Sequence, residues 1–477
     1  MIIIILITLA YTFLRGLHLT YLFQIKEYRF DRLFSLIREN GFIHTFYTSA
    51  NRLPAISPRN MLIVFFLAIS SGLLFLLALE HNFLYYFMSV SVIVAPLLSF
   101  LLISLAVIVT EIPAKIYRYV YIFRAIKKVR NSKTTFIGIT GTYGKTSVKE
   151  YVAFILSTKY KVAKTEKNMN TGVGIAICIN KNLSSDTDFF IAEVGSYKIG
   201  ETQQATWYIP FKYGILTGLG NQHLDLYGSR ESLIQEEISM LTNIDVDNYV
   251  YINHHVYDYE NIIKLMKAKI ISYGLHHSQI KARILSISPD SIKAVINYRG
   301  YEFTIETHLP GEHSLVNLLP AIAIGMDCGI KPRDIVHRVA EMKPVEGKLS
   351  VHTSRTKAVI INDAVNSNVD GFIAALAVLK RYPQKSKYVI SLGIIELGVE
   401  KRASYEKILQ ELHNVHAKLL TTDPLFKTLD TQNAVMIFND VLQLHDKIKI
   451  LMNRHTVVLL EGKLPENIKK SLMNPIV

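Results

Sequence analysis

The chain has 477 residues, 50% of them hydrophobic, and a formal net charge of +14. This length predicts about three domains rather than one, and the mean hydropathy of +0.23 predicts that one part lies in a membrane. The first 130 residues carry +8 of the net charge beside long apolar runs, so anionic lipid head groups explain the basic excess better than nucleic acid does. The two cysteines, Cys178 and Cys328, lack metal-ligand spacing, which fits a reducing, cytosolic location for most of the chain.

Two charge-free runs predict a transmembrane hairpin. Residues 61–79 and 82–110 form runs of 19 and 29 residues, and each is long enough to cross a hydrocarbon core of about 30 Å as a helix. Glu80 and His81 alone separate the two runs. Because neither run shows a polar stripe, a pair of buried soluble helices explains them less well.

The N-terminal run, residues 1–24, is predicted to be a further span, with Arg15 near a membrane interface. No basic residue precedes this run and no small-residue cleavage site follows it, so a removed signal peptide is the weaker interpretation. Basic residues lie on both sides of the hairpin and none at its tip, which predicts that both flanks face the cytoplasm. Segment 117–130, aromatic and basic, is expected along the membrane surface, although an ordinary solvated helix is nearly as well supported.

The stretch FIGITGTYGKTSVKE, residues 136–150, has the pattern of a phosphate-binding loop between a strand and a helix. Three glycines let the backbone bend and approach a polyphosphate closely: Gly138, Gly141 and Gly144. Lys145 supplies a cation for the phosphates, and Thr146 or Ser147 supplies a hydroxyl for Mg²⁺. Taken alone, the loop predicts nucleotide binding.

From residue 134 onward, short β-branched runs alternate with helical stretches, which indicates an α/β fold with parallel sheets. We expect a membrane region at 1–130, a central ATP-binding domain at 131–344 and a Rossmann-like domain at 345–477. Buried strands that end in glycine-containing loops are predicted for the segments DFFIAEVGS and YGILTGLG. Glu193 and His223 follow these strands and are therefore candidates for the phosphate site.

The last domain is predicted from five strand-like segments: TKAVIIND, SKYVISLG, HAKLL, AVMIF and HTVVLLEG. Helix-like stretches separate most of them, as expected for a small Rossmann-like sheet. The segment from Met342 to Gly347 contains Pro344 and Gly347 and is the expected hinge between the two domains.

Residues from about 134 to 465 resemble the Mur ligase family, the ATP-dependent amide-forming enzymes of peptidoglycan precursor synthesis, most closely the branch that adds D-alanyl-D-alanine. The matching segments are ITGTYGKTS, KNMNTGVG, AEVGSYKIGE, LTGLGNQHLDLYGSRES, LPGEHSLVNLLPAIA, VEGKL, IINDAVNSNVDGFIAAL and LGIIELG. Six residues in these segments differ from those usual in the family: Tyr143, Thr171, Lys348, Val365, Val369 and Ile394. They stand where Asn, the second Asn of a pair, Arg, an aromatic residue, Pro and Asp, respectively, are common.

The resemblance assigns roles to particular residues. It implies that ATP contacts Gly141, Thr142, Gly144, Lys145, Thr146, Ser147, Asn317, Lys348 and Asp363. It implies magnesium ligands at Thr146, Glu193, His223 and Glu237, and substrate contacts at Asn170, Thr171, Asn366 and Asn368. The residues it makes catalytic are Lys145, Glu237 and Lys348.

Glu237 falls where the family usually has a lysine that is carbamylated by carbon dioxide. A glutamate offers the same hard oxygen ligand on a shorter stem, which suits magnesium. We therefore expect Glu237 to be a built-in substitute for the modified lysine, with Glu236 as the alternative if the register shifts by one. An exposed acidic helix face beside a degenerate metal site is the other explanation.

The resemblance implies a membrane-anchored, ADP-forming ligase with ATP and Mg²⁺ as cofactors, acting through an acyl phosphate. The amine is an amino acid or a dipeptide such as D-Ala-D-Ala, and nucleic acid is not expected as a partner. Soluble family members begin with a domain that holds the substrate's uridine diphosphate, whereas predicted spans occupy these positions here. The acceptor is therefore a nucleotide-linked cell-wall precursor or, slightly favoured by tethering, a lipid-linked one. A poly-glutamate type of ligase and a catalytically decayed nucleotide-binding membrane module remain alternatives.

Overall fold

The computed structural model describes residues 2–49, 51–80, 95–167, 169–196, 198–220, 227–365, 367–394, 397 and 400–473. The chain divides into two compact units, Met1–Phe123 and Arg124–Val477.

The first unit is helical. Its helices, together with the one that continues into the second unit, are α1 (Ile2–Ile25), α2 (Phe30–Asn40), α3 (Pro58–Glu80) and α4 (Ala95–Arg130), and a short π-helix spans His44–Thr48. α1 packs on α3, and their apolar side chains join those of α4 in one cluster that includes Phe23, Leu67 and Ile103.

Among the described residues, two helical segments are long and apolar enough to cross a membrane, Leu6–Ile25 and Pro96–Arg130, and Pro58–Leu73 is a shorter apolar helix. The helices predicted at 1–24 and 61–79 are present. For the run at 82–110 the described part, from residue 95 onward, is helical, while residues 81–94, which include the predicted hairpin tip, lie outside the described residues.

Arg15, expected near a membrane interface, is enclosed by protein and only 2% exposed. Its guanidinium donates to the carbonyl oxygens of Thr45 and Ser49, both at 3.0 Å, and to Oδ1 of Asn51 at 2.9 Å. A buried guanidinium needs such partners because its charge is otherwise unsolvated. Arg15 thus ties α1 to the segment that follows the π-helix.

The central part of the second unit contains a nine-stranded sheet in the order β2-β3-β1-β4-β5-β6-β7-β8-β9. Its strands are β1 (Thr135–Thr140), β2 (Val162–Lys164), β3 (Phe189–Glu193), β4 (Phe211–Leu216), β5 (Tyr249–Asn253), β6 (Lys269–Gly274), β7 (Ile280–Ile287), β8 (Ile292–Tyr298) and β9 (Tyr301–Thr307). β1 to β7 pair in parallel, as predicted, whereas β7, β8 and β9 form an antiparallel extension that was not predicted.

Helices connect and cover this sheet. They are α5 (Lys145–Leu156), α6 (Gly172–Asn182), α7 (Glu201–Thr206), α8 (Arg230–Ile238), α9 (Tyr259–Lys264), α10 (Glu312–Asp327) and α11 (Pro332–Ala340), with a 3₁₀ turn at Leu241–Asn243. Three of them, α5, α10 and α11, pack their apolar sides on the sheet in one large core. Burial of this surface is the main stabilising contribution to such a layer.

The last part of the second unit has a six-stranded sheet in the order β10-β11-β15-β12-β13-β14. The strands are β10 (Ser350–Thr353), β11 (Val359–Asp363), β12 (Ser386–Ser391), β13 (Lys418–Thr421), β14 (Val435–Ile437) and β15 (Thr456–Glu461). The five predicted strands are therefore present, and they pair in parallel. β10 is an additional antiparallel strand at the edge.

In the described portion of this part, the helices that accompany the second sheet are α12 (Val369–Lys380), α13 (Lys401–Val415), α14 (Pro424–Leu429), α15 (Val441–Leu451) and α16 (Glu466–Met473). α12, α13 and α14 contribute to one core, and α15 and α16 contribute to another. From β12 to β14 the strands follow one another towards one edge of the sheet, and the chain then returns to place β15 between β11 and β12. In parallel sheets, a crevice at the carboxyl ends of the strands is expected where the strand order reverses in this way.

Candidate functional site

The predicted nucleotide loop joins the central strand β1 to α5. Gly141 has a φ of +125° and Gly144 a φ of +86°, values that side chains other than glycine rarely adopt. Gly138 has a different role from the one predicted. It lies within β1, where an added Cβ would be 2.6 Å from Sδ of Met240. Glycine at this position therefore leaves room for the Met240 side chain to pack against the strand.

A neighbouring loop after β4 holds the nucleotide loop in shape. The backbone amides of Thr142 and Tyr143 donate to the carbonyl of Gly218 at 2.7 and 3.3 Å, and the Thr217 hydroxyl donates to the Tyr143 carbonyl at 2.6 Å. The Tyr143 ring lies over Gly218, where a Cβ would be 2.0 Å from its nearest atom. Tyr143 therefore requires glycine at position 218.

The side chain of Lys145 folds back across the loop. Its ammonium donates to the carbonyls of Gly141 and Thr142, so the cation lies over the concave backbone in which a polyphosphate would bind. The Asn317 side chain closes the same loop from α10, because a Cβ on Gly144 would be 2.9 Å from its Oδ1. Asn317, expected to contact ATP, thus lies beside the loop.

Glu193 is the centre of the polar contacts beneath the loop. Its Oε1 accepts from the Thr146 hydroxyl at 3.2 Å and from Nδ2 of Asn170 at 3.4 Å. Its Oε2 accepts from the ammonium of Lys149 at 3.0 Å. Glu193 is 3% exposed and Lys149 is fully buried, so the two charges are buried as a pair. Ser147 is directed elsewhere and hydrogen-bonds the buried Tyr151, which leaves Thr146 as the hydroxyl near Glu193.

Lys149 was not predicted as a site residue. The spacing in the sequence could have indicated a site role, because Lys149 is four residues after Lys145 and therefore lies on the same side of helix α5. Sequence alone does not distinguish that position from a solvated lysine. The partner that buries it, Glu193, comes from a strand 44 residues further on.

Glu237 and Glu236 point to different places. Oε2 of Glu237 accepts from the Thr140 hydroxyl at 2.8 Å and from the Gly141 amide at 3.0 Å, so this carboxylate lies against the start of the nucleotide loop. The Glu236 carboxylate accepts from the amides of Gly200 and Thr202 at 2.6 and 2.7 Å, at the amino end of α7. Between the two alternatives, Glu237 is therefore the carboxylate beside the loop.

The donor set fits magnesium, which prefers hard oxygen ligands. Thr146, Glu193 and Glu237 present hydroxyl and carboxylate oxygens on two sides of the nucleotide loop. The other predicted ligand, His223, lies outside the described residues. Within the part of the chain that the structure describes, no cluster of three or more His, Cys, Asp or Glu side chains forms a metal site.

Two predicted substrate residues have helix-capping roles. The Thr171 hydroxyl accepts from the Gly174 amide at 3.3 Å at the start of α6, and Asn368 accepts from the Gly371 amide at 2.8 Å at the start of α12. Asn170 lies beside Glu193, as described above. The fourth predicted substrate residue, Asn366, lies outside the described residues.

Two carboxylates face each other at the carboxyl ends of β11 and β15. Asp363 and Glu461 are paired in the strand register, and the Ser367 hydroxyl donates to Oε1 of Glu461 at 2.7 Å. Burial raises the pKa of Asp363 to about 6, while the charge of Lys348 opposes the shift. Burial and the neighbouring Asp363 raise the pKa of Glu461 well above its usual range. Glu461 was not predicted as a site residue.

A cavity of about 310 Å³ lies between the nucleotide loop and the last part of the chain. Thr142, Gly220 and Arg230 line one side, and the opposite side is lined by Asn368, Val369, Asp370, Ile394, Leu397, Glu400, Ala403, Ser404 and Lys407. Burial and the charge of Asp370 raise the pKa of Tyr143 to about 12, so Tyr143 remains a neutral hydroxyl at the mouth of the loop.

The chain is similar to known proteins in sequence and in fold. Residues 139–325 match the Mur ligase middle domain. The UDP-N-acetylmuramoyl-tripeptide--D-alanyl-D-alanine ligase of Bacillus subtilis (strain 168) is 26% identical over 267 residues, which are 56% of this chain and 57% of that protein. The chain thus spans little more than half the length of this relative.

Solved structures with the same fold include MurF from Acinetobacter baumannii, with a TM-score of 0.69 and 19% identity over 75% of this chain and 80% of that one. A folylpolyglutamate synthase from Mycobacterium tuberculosis complexed with ADP and AMPPCP has a TM-score of 0.57 and 15% identity over 72% of this chain and 92% of that one. The glycine loop, the Glu193 cluster and the matched middle domain agree with one another. Residues 139–325 of the chain therefore form a Mur ligase middle domain.

Proposed function

We propose that the chain is an ATP-dependent, ADP-forming ligase that joins an amine to a carboxylate through an acyl phosphate. The observation that carries this proposal is the position of Glu193, which Thr146, Lys149 and Asn170 all contact beneath the nucleotide loop. Glu237 contacts the same loop from its other side. Carboxylates beside a phosphate-binding loop can hold the magnesium that neutralises phosphate charge. Such a site suits phosphoryl transfer, which depends on electrostatic stabilisation more than on covalent help.

The residues of the chain have distinct parts in this proposal. Lys145 exchanges the loop carbonyls for the phosphates of ATP, and Asn317 is the proposed adenine contact. Bound magnesium supplies charge neutralisation on the phosphates, and Thr146, Glu193, His223 and Glu237 would hold it. The acceptor carboxylate forms a bond to the γ-phosphorus of ATP while the bond from that phosphorus to ADP breaks, and ADP is released. The amine then forms the new C–N bond while the C–O bond to phosphate breaks, and phosphate and the amine's proton leave.

Closure of the C-terminal domain excludes water from the labile acyl phosphate in this proposal. Gly347, at the expected hinge, has a φ of +74°, and an added Cβ there would be 2.4 Å from a methyl of Val365. The hinge therefore lies against the loop that follows Asp363. We assign Lys348 and Asp363 to ATP contact and closure, and we take residues 131–344 and 345–477 as the two domains that close.

We infer that the pathway is peptidoglycan precursor synthesis, with an amino acid or a dipeptide such as D-Ala-D-Ala as the amine. The activity for which the Bacillus relative is named supports this choice. The proposed substrate contacts are Asn170, Thr171, Asn366 and Asn368. A poly-glutamate type of ligase is the second candidate, because a folylpolyglutamate synthase shares the fold.

We further propose that the N-terminal helices anchor the enzyme in the cell (inner) membrane, with the ligase domains in the cytoplasm. Large apolar side chains are exposed along α3 and α4, including Phe65, Ile69, Leu101 and Ile112, which are each at least 55% exposed. An exposed apolar surface of this extent favours lipid as its solvent. Anchoring would present either a nucleotide-linked or a lipid-linked precursor to the site.

ADP release by the full chain in detergent, with ATP, Mg²⁺, candidate acceptors and candidate amines, tests the proposal. We expect release to require both an acceptor and an amine, and mass spectrometry of products formed from a cell-wall precursor extract should show the added amine. Stimulation by glutamate with a folate-like acceptor would favour the second candidate. Tight ATP binding without turnover under any combination would instead indicate a nucleotide-binding membrane module.

A further inference from the structure

Lys149 carries a charge that the proposed ATP and magnesium contacts do not use. It is on α5, four residues after Lys145, and its side chain is fully buried. The ammonium donates to Oε2 of Glu193 at 3.0 Å and to the carbonyl oxygen of Lys167 at 3.2 Å. The second bond reaches the loop that leads to Asn170. The ammonium is therefore held in place from two sides, by the end of β3 and by this loop.

Stability does not account for this buried pair. The cost of removing two charges from water offsets much of their attraction, and apolar residues of similar volume often stabilise a protein at least as well. Glu193 is a proposed magnesium ligand, and carboxylates that bind metal ions are usually hydrogen-bonded by neighbouring residues. Lys149 is such a neighbour, but it also brings a positive charge. A cation beside a metal ligand opposes the binding of a second cation.

Four buried or half-buried charges form a row behind the nucleotide loop. Next to Glu193 and Lys149 lie Glu150, whose Oε1 is 3.9 Å from the Lys149 ammonium, and Lys164, which pairs with the other oxygen of Glu150. Two carboxylates and two ammonium groups cancel, so this row is neutral without a metal ion. A divalent ion at Glu193 would add two positive charges that nothing in the row compensates.

We propose that Lys149 is a positioning residue that neutralises Glu193 in the nucleotide-free enzyme and so makes metal binding at Glu193 depend on ATP. On the loop itself, Lys145 and Glu237 contribute one charge of each sign. The phosphates of the nucleotide are therefore the anions that would compensate a divalent ion. The proposal rests on the ligase function proposed above and adds the order of binding, in which the metal ion enters together with ATP.

Titration with Mn²⁺, followed by electron paramagnetic resonance of the free ion, tests this order on the full chain in detergent. Mn²⁺ is a suitable probe because it prefers the same carboxylate and hydroxyl oxygens as Mg²⁺. We expect Lys149→Met to bind Mn²⁺ without nucleotide at least tenfold more tightly than the wild type, since the competing charge is gone. ADP should tighten Mn²⁺ binding by a smaller factor in this variant, after correction for Mn²⁺ bound to free ADP. Lys149→Arg keeps the charge and should bind Mn²⁺ no more tightly than the wild type.

The direction of the change distinguishes this role from a purely structural one. If Lys149 only shaped the site, its replacement would displace Glu193 and weaken metal binding. Lys149→Gln is a second neutral variant that keeps a hydrogen-bond donor for Glu193, and it should show the same gain if Lys149→Met folds poorly. An unchanged or weaker nucleotide-free affinity for Mn²⁺ in either folded variant would overturn the proposal.

Two controls locate the effect. Adding Glu193→Gln to Lys149→Met should abolish the gain in Mn²⁺ affinity, because the gain requires the charge of Glu193. Lys181→Met is the matched control, since Lys181 also pairs with a glutamate, Glu166, at 2.8 Å. Within the described residues, no ion pair joins Lys181 to Glu193. A similar gain in Lys181→Met would show that net charge, and not the position of Lys149, controls metal affinity.

Metal binding is measured without an acceptor or an amine, which separates this proposal from the ligase function itself. Amine-dependent ADP release by the wild type, with unchanged Mn²⁺ affinity in folded Lys149→Met, would overturn the role of Lys149 and leave the ligase function intact. The expected gain in Mn²⁺ affinity, in a chain that releases no ADP with any acceptor and amine, would overturn the function and leave the role of Lys149.

Discussion

At the scale of single residues, adjacent acidic side chains have unrelated roles. Glu236 and Glu237 are consecutive on α8, yet one accepts from amides at the start of α7 and the other accepts from the start of the nucleotide loop. Successive residues on a helix are about 100° apart around its axis, so neighbours in sequence face different elements. A one-residue error in register would therefore exchange a capping residue for a candidate metal ligand.

Replacement of Glu237 tests the proposed substitute for a carbamylated lysine. Glu237→Ala should lower the rate of ADP release about 100-fold or more, as loss of a transition-state electrostatic group does. Glu237→Lys should be similarly slow in buffers depleted of carbon dioxide and should regain activity when bicarbonate is added, because a carbamate restores the anionic oxygen. The wild type should not respond to bicarbonate.

Glu236→Gln is the control for this measurement. It should lower the melting temperature, since two buried amides lose part of a charged acceptor, while the rate of ADP release per folded molecule remains near that of the wild type. Unchanged turnover in Glu237→Ala would remove Glu237 from the site.

The carboxylate pair of Asp363 and Glu461 predicts a pH dependence of stability. Both pKa values are raised in the folded chain, that of Asp363 to about 6. Between the ordinary carboxyl pKa and the raised one, the folded state binds more protons than the unfolded state. The free energy of unfolding contributed by the pair is therefore fully present at low pH and decreases as pH rises through this window.

Glu461→Gln should remove much of that decrease. We expect the variant to be more stable than the wild type at pH 7, by about 1–2 kcal/mol, and the difference to shrink towards pH 4. Chemical denaturation at several pH values measures this difference, and comparison at each pH removes groups that titrate alike in both proteins. Glu306→Gln, exposed on β9, is the control. A variant less stable than the wild type at pH 7 would contradict the buried like-charge pair.

At the scale of elements, the two loops after β1 and β4 form one unit, in which Tyr143 covers Gly218. Gly218→Ala should displace the ring, because its Cβ would be 2.0 Å from a ring atom. The amides that hold the nucleotide loop to the Gly218 carbonyl would move with it. We expect the Kd for ATP, measured by calorimetry, to rise at least tenfold.

The double variant with Tyr143→Asn tests the cause of this loss. Asparagine is the residue common at this position in the family, and its smaller side chain leaves room for the alanine methyl group. ATP affinity should therefore recover most of its wild-type value. If the double variant binds ATP as weakly as Gly218→Ala alone, contact with the Tyr143 ring does not explain why position 218 is glycine.

Elements with strong local signals were predictable and long-range contacts were not. The glycine loop, the parallel strands around it and the five strands of the last sheet follow from β-branched runs and glycine turns. The antiparallel extension β7 to β9 was missed, because its alternating residues were not distinguished from the parallel pattern. Lys149 and Glu461 were missed as well, since their burial depends on Glu193 and Asp363, which are distant in sequence.

At the scale of the whole molecule, the apolar surface of the N-terminal helices should determine where the chain resides. Phe65 and Ile69 are 64% and 55% exposed on α3. In water, replacing two such side chains would change stability by about 0.5 kcal/mol or less each. In a bilayer, each lysine at a helix centre would cost about 2.5–3.5 kcal/mol of insertion free energy.

Membrane fractions washed with alkaline carbonate therefore test the proposed anchor. The wild-type chain should remain in the membrane pellet, and the double variant Phe65→Lys, Ile69→Lys should be released or fail to accumulate. Leu442→Lys is the matched control, because Leu442 is 64% exposed on α15 of the second unit, and its replacement should leave the chain in the pellet. Extraction of the wild-type chain by carbonate, or full retention of the double variant, would show that α3 does not contact lipid. In that case a protein partner would have to cover this apolar surface.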